Sequence, residues 1–354
     1  DNALALYYAA LTTKMQGSYK EAIPMFRRFG KIYKEADAQK MKKWARIEID
    51  GCNFAINEAK PDPFVKLTHL DKNINSNYGD LAPALREGVL YFASINSDTV
   101  LMMKADKSDY KKENNLMKMY TSKVDGDTYS EKEQVKTFSE SGKHISNPSF
   151  NEDGKKFFYT ICDGALMHPD CRIYMSEMNG TEWGEGKALN DEINLKGFTN
   201  TQPWYAKTPA GDVLYFVSNR EGGKGGLDIW ASAVNRKGEF GTPKNVGGKI
   251  NTDRDEVTPF YDSKTSTFYF SSNGWISMGG QDIFKSQADA SGKYNNTAEN
   301  LGAPFNSSCD DNYFRFGKSG EEGYLASNRP GIFSVRRKTC CYDIFSFKYD
   351  RRFF

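Results

Sequence analysis

The sequence predicts a mainly β protein, a five-bladed β-propeller preceded by a small α-helical segment. Three observations carry the prediction. A Gly-dense loop, Gly222 to Gly226, joins the apolar run Val213 to Val217 to a second run, Ile229 to Val234, as in a hairpin. The same pattern recurs around Phe268 to Asn273 with Gln281 to Phe284, and around Tyr324 to Arg329 with Tyr342 to Phe345. Asn219, Asn273 and Asn328 hold equivalent places 54 and 55 residues apart, the signature of a repeat architecture. Aromatics at 14%, with 31 Gly and 20 Tyr, suit an all-β chain with many tight turns.

The chain has 354 residues and a formal net charge of +2, which gives no reason to expect nucleic acid. No run of 18 apolar residues occurs and no signal peptide is recognisable, so no membrane span is expected. The chain opens inside a helical pattern at Asp1, as expected of a fragment or a processed product. Residues 1–60 read as helices. Ala3, Leu6, Tyr7, Ala10 and Leu11 fall at helical spacing, Gly17 marks a turn, and a third helix from about Ala36 to Ala59 carries Trp44, Ile47 and Phe54. Pro24 is expected to kink the second helix, and Pro61-Asp62-Pro63 to end the helical part, because proline lacks the backbone donor and restrains its predecessor.

The remainder, 61–354, divides into five units of about 55 residues, each with three clear strands and a weaker fourth, the pattern of a propeller blade. The units open with 81–85, 147–150, 200–205, 256–261 and 311–316, and the last three of these segments open polar and turn aromatic. The last unit lacks a fourth strand. Phe64-Val65-Lys66-Leu67, ending in Asn73-Ile74-Asn75, matches the fourth-strand stretch Pro243 to Val246 that ends in Lys249-Ile250-Asn251. The strand at 64–67 is therefore expected to complete the last blade and close the ring.

Six Cys without a CxxC–His pattern, and three scattered His, argue against zinc and for structural disulfides in an oxidising compartment. Cys162 and Cys171 flank a short loop and are expected to pair. Cys309 is expected to bond Cys340 or Cys341, at the base of a loop longer than in its sister units. The alternative is a vicinal Cys340–Cys341 bond with Cys309 free.

No metal or cofactor is called for. Asp228, Asp282 and Asp343 each precede an Ile-aromatic pair, but one acid per blade is too few oxygens for calcium. Capping of the Gly-rich turn is the expected role. Gly222 to Gly226 lacks the Lys-Ser/Thr of a phosphate loop and is expected to supply positive φ. No GxSxG elbow or other catalytic signature is present. Asp253, Asp255, Glu256, Asp310 and Asp311 precede innermost strands and form a candidate binding rim for a cation or basic peptide.

The stretch Gly17 to Phe26, with Gly17, Tyr19, Ala22 and Phe26 in register, resembles the turn and second helix of a tetratricopeptide repeat. The units with LYFVSNREGGKGGLDIW and FYFSSNGWISMGGQDIF resemble the PD40 or WD40-like repeats of TolB-type propellers. The last unit, with Asn328-Arg329-Pro330-Gly331 and Cys340 to Phe345, resembles a Bacteroidota version. This order of parts is similar to that of the PorE-type periplasmic lipoproteins of the type IX secretion system. The resemblance implies a non-enzymatic protein-binding scaffold, periplasmic and attached to the outer membrane. Its partners would be other envelope or secretion-system proteins, with peptidoglycan reached only through an OmpA-like domain absent from this chain. Asp98-Thr99-Val100 resembles a Bacteroidota O-glycosylation site, which makes Thr99 a candidate. Two alternatives stand beside the scaffold. One is a glycan- or peptide-acting hydrolase using the central pocket, which clustered acids of raised pKa would favour. The other is a carbohydrate-binding module, which needs aromatics such as Trp204 or Trp275 at the opening.

Overall fold

The computed structural model describes residues 2–57, 59–95, 116–138, 140–163, 170–334 and 341–350. Three helices, α1 (Ala3–Met15), α2 (Tyr19–Ile32) and α3 (Ala38–Asn57), precede five antiparallel sheets. Asn2 caps α1 by accepting the Ala5 N–H at 3.2 Å, and Pro24 lies inside α2 without ending it. Tyr7, Phe26, Phe29 and Tyr33 form the helical core, with Tyr7 and Phe29 rings 5.0 Å apart. No helix of the described residues is long and apolar enough to cross a membrane.

Each sheet is one blade, written here from the axis outward. Blade 1 is Asp80–Arg86, Val89–Ser94 and Lys118–Asp125, edged by Glu133–Gln134. Blade 2 is Lys143–Phe150, Lys156–Asp163 and Cys171–Asn179, edged by Lys187–Ala188. Blade 3 is Asn200–Thr208, Gly211–Ser218, Asp228–Ala233 and Lys244–Asn245. Blade 4 is Glu256–Asp262, Thr267–Ser272, Asp282–Gln287 and Glu299–Asn300. Blade 5 is Asp311–Phe316, Glu322–Ser327 and Asp343–Tyr349, and its outer strand is Val65–His69, from the beginning of the ring. That strand pairs from Val65 opposite Tyr349 to His69 opposite Phe345. The innermost strands pack in the order 1 to 5 and back to 1, so the fold is a closed five-bladed propeller. The apolar core lies between neighbouring blades. Between blades 4 and 5, for example, Tyr269 packs on Phe314 at 4.9 Å and Phe260 meets Phe316 edge-on at 6.2 Å.

The repeated residues hold the turns of the blades. Asn219, Asn273 and Asn328 accept the backbone N–H of Thr199, Asp255 and Asp310, at the entry to each innermost strand. Arg220 donates to the carbonyls of Glu192 and Ile193, and Arg329 to those of Pro304 and Phe305. Asn75, Asn194, Asn251 and Asn306 each clamp an Ile of a third strand, accepting its N–H and donating to its C=O. Asn75 does this to Ile344, a second latch between the first strand and the last. Asp282 accepts the N–H groups of Met278 and Gly279, and Asp228 those of Lys224 and Gly225. The loop from Gly222 to Gly226 corrects one expectation, since only Gly222 has positive φ. Gly225 is needed because a Cβ there would stand 1.9 Å from the Arg254 carbonyl oxygen.

Cys162 and Cys171 form a disulfide between the second and third strands of blade 2. On the chain-entropy model, closing so short a loop stabilises by roughly 2–3 kcal/mol. Replacing both by Ser is expected to lower stability by that amount in chemical denaturation, with an unchanged fold by circular dichroism. Equal stability would show the crosslink to be neutral. Cys309 corrects the sequence reading: it is a free, buried thiol. The end of α1 covers it, with the Met15 carbonyl 3.7 Å from Sγ, so it faces the helices rather than the third strand. Burial pushes its thiol pKa up. Cys341 is disulfide-bonded, whereas Cys340 and Thr99 lie outside the described residues.

Candidate functional site

Strand direction gives the ring two faces. First strands begin, and second strands end, on the face where the helices dock. The turns joining first to second strands lie on the other. The candidate rim acids lie on the helical face, and the structure leaves them no open rim to form. Asp253 pairs with Lys43 of α3 at 3.0 Å. Asp255 accepts the Leu227 N–H at 2.8 Å, and Asp310 accepts the Gln281 N–H at 2.9 Å and the Asn328 side chain at 3.0 Å. Asp311 is fully buried, holding Ser307 at 2.7 Å and Arg329. Glu256 is fully buried too, accepting from Thr252 and Ser272. Burial raises the carboxyl pKa of Glu256 to about 7, and that of Asp282 likewise to about 7. Both are sealed among turn groups, and neither lines the basin described below. Among the described residues no cluster of His, Cys, Asp or Glu could hold a metal ion.

The central opening is on the opposite face. There the ring carries a basin of about 520 Å³, bounded by the turns of blades 1 to 5. Its wall includes the rings of Phe150, Trp204 and Phe316, all partly exposed, and its rim carries the exposed carboxylates Glu87, Glu152 and Asp153. Glu87 lies 3.3 Å from Arg86, and Glu152 3.6 Å from Lys207. Asp153 accepts the Lys155 N–H at 2.9 Å, which holds its carboxyl below the usual range. Trp275 does not line this basin; its indole donates to the Ile250 carbonyl in the blade core.

The axis below the basin is closed by side chains. Each innermost strand carries a bulge whose residue has positive φ: Ala82, Asn147, Gln202, Thr258 and Tyr313. A bulge re-aims the side chain it carries. Here three polar side chains and one backbone amide converge across the axis. Tyr313 donates to Asn147 at 2.8 Å, Gln202 donates to the Tyr313 hydroxyl at 3.3 Å, and the Thr258 N–H donates to Gln202 at 2.7 Å. Ala82, the small member, packs against Tyr313. Just above this plug Arg315 reaches from blade 5 to the Pro148 carbonyl of blade 2 at 3.0 Å, its guanidinium 4.8 Å from the Trp204 ring centre. Sequence reading missed the plug and Arg315. The signal was the recurring residue-Pro pair at one place in four units, which marks the bulge.

A second depression, of about 730 Å³, opens on the helical face beside Phe198, Leu227 and Asp255. It offers two carboxylates, Asp170 and Asp255, the latter engaged by Leu227, and no cation.

Solved structures with a similar fold include carbohydrate-acting enzymes. An α-L-arabinofuranosidase from Podospora anserina, in complex with cellotriose, is 8% identical over 79% of this chain and 93% of its own, with a TM-score of 0.46. The catalytic domain of an α-L-arabinofuranosidase from Coprinopsis cinerea is 9% identical over 79% and 94%, with a TM-score of 0.47. An exo-β-1,3-galactanase from Clostridium thermocellum is 13% identical over 79% and 61%, also with a TM-score of 0.47. No protein-family model and no curated protein matches the chain. The expected non-enzymatic scaffold finds no counterpart among these chains, which are carbohydrate-acting enzymes. Their likeness is one of fold, so the chemistry has to come from this chain's own residues.

Proposed function

We propose that the protein acts on carbohydrate, taking a glycan into the basin at the centre of the ring. One observation carries the reading. A dead-end basin of about 520 Å³ combines partly exposed aromatic rings with carboxylates at its rim. Sugar rings present C–H faces that pack on aromatic surfaces, while their hydroxyls need charged or polar partners at the edge, and pockets built this way fix orientation with few polar groups. Trp204 is the anchor. It is pinned edge-on by Phe260 at 4.9 Å and its indole donates to the Tyr261 carbonyl at 3.3 Å, so its ring is held before a ligand arrives.

Glycoside hydrolysis uses two carboxyl groups about 5–10 Å apart, one protonated and one ionised. Asp153, held ionised by the Lys155 amide, suits the base or nucleophile. Glu152 and Glu87 are the other carboxylates at the rim, each beside a cation, Lys207 and Arg86. The raised acids Glu256 and Asp282 take no part, because both are fully buried on the other face and neither lines the basin.

The test is a panel of arabino-, xylo-, galacto- and manno-oligosaccharides, with binding followed by calorimetry and cleavage by product analysis. At least one class is expected to bind and be cleaved. Trp204→Ala is expected to weaken binding about tenfold or more, in keeping with loss of an aromatic contact worth about 1–3 kcal/mol. Asp153→Asn is expected to abolish cleavage with binding retained. Absence of binding across the panel, and of binding to any uronate-containing oligosaccharide, would reject the reading.

A further inference from the structure

The basin floor holds a buried cation without an anion. Arg315 is 5% exposed, lines the basin, and forms no ion pair among the described residues. Burying an unpaired charge is costly, so such a group is kept only where its surroundings or a ligand compensate it. The compensation within the chain is partial. Nη1 donates to the Pro148 carbonyl, and the Trp204 ring offers its π-face. Nε and Nη2 donate to nothing among the described residues, and these two atoms form one side of the guanidinium fork. The other basin cations are differently placed: Arg86 has Glu87 and Lys207 has Glu152, while Lys318 is exposed. Burial also lowers the Arg315 pKa to about 10, which leaves it charged at neutral pH.

We propose that Arg315 is the seat of a carboxylate and that the basin takes an acidic glycan. A uronic acid unit would be held side-on by Nε and Nη2 while its ring lies along Trp204. The planar two-oxygen carboxylate matches the open edge of the fork, which a lysine ammonium would not reproduce. The inference rests on the glycan reading above and adds to it the charge of the sugar.

Calorimetry at low salt with galactotriose, trigalacturonate and a sulfated galactotriose tests it, on the wild type, Arg315→Lys and Arg315→Met. Near-ultraviolet circular dichroism confirms that each variant is folded. Arg315→Lys keeps the charge and serves if the methionine variant does not fold. The wild type is expected to bind trigalacturonate about tenfold or more tightly than galactotriose. Arg315→Met is expected to lose that preference and Arg315→Lys to lose most of it, read as the ratio of trigalacturonate to galactotriose affinity within each variant. Equal binding of the neutral and uronate sugars by the wild type overturns the inference and leaves the glycan reading standing. Tighter binding of the sulfated sugar than of the uronate overturns the carboxylate assignment. No binding of any of the three ligands overturns the inference, while the wider panel above decides the glycan reading.

Discussion

Replacing Glu48 by alanine is expected to destabilise the protein by about 3–5 kcal/mol, because it strands two buried cations. Glu48, on α3, is 3% exposed. It accepts from Lys14 of α1 at 2.6 Å and from Arg254, in the loop before the first strand of blade 4. Lys14 is fully buried, and Arg254 also donates to the Tyr7 hydroxyl at 2.8 Å and the Asn273 carbonyl at 2.9 Å, with its guanidinium 4.5 Å from the Trp44 ring centre. One carboxylate thus ties two helices to the ring. Burial alone would raise its pKa, but Lys14 and Arg254 outweigh burial and hold it below the usual 4.5. A carboxyl whose folded pKa is depressed contributes stability that is present above its unfolded pKa and lost as pH falls through the folded value. The stability difference between wild type and Glu48→Gln is therefore expected to be full near neutral pH and to shrink below about pH 4.5. Urea denaturation at several pH values checks this. A difference that does not change with pH would show that the charge of Glu48 is irrelevant. Adding Lys14→Met and Arg254→Met to Glu48→Ala is expected to recover part of the loss, since no stranded charge remains.

Deleting residues 61–67 is the second large effect. The deletion removes Val65, Lys66 and Leu67 from the strand that pairs with Tyr349 to Phe345, together with the Phe64 carbonyl that accepts the Asp350 N–H. The two apolar side chains alone are worth about 3–5 kcal/mol by burial. The third strand of blade 5 would become an open edge, exposing a row of unpaired backbone groups and the margin of the Phe347 cluster. The melting temperature is expected to fall by about 5–15 °C, with increased aggregation. A cooperative melt at an unchanged temperature would mean that the ring does not depend on this strand.

The parts of the structure that repeat were legible in the sequence. Asn219, Asn273 and Asn328 do the same job in three blades, so their spacing marked the blade period. Asp228 and Asp282 cap turns because a lone carboxylate in a Gly-rich loop meets amides first. The contacts between distant, non-repeating parts were not legible. Asp253 looked like a rim acid until α3 was found to bring Lys43 to it, and Cys309 looked like a disulfide partner until α1 covered it. The basin side chains come from all five blades, so no local motif announces them. Arg315 gains its meaning from Pro148 and Trp204, each more than a hundred residues away. Acids cluster before the first strands on the helical face, whereas the rings and exposed carboxylates of the basin gather at the turns of the other.

The most direct measurement is a crystal structure of the protein soaked with an oligosaccharide chosen from the binding panel. A sugar ring is expected against Trp204, inside the basin bounded by Phe150 and Phe316 and within reach of Asp153 and Arg315. An oligosaccharide found only in the depression beside Phe198 and Leu227, or on the helices, with the central basin empty, would contradict the account.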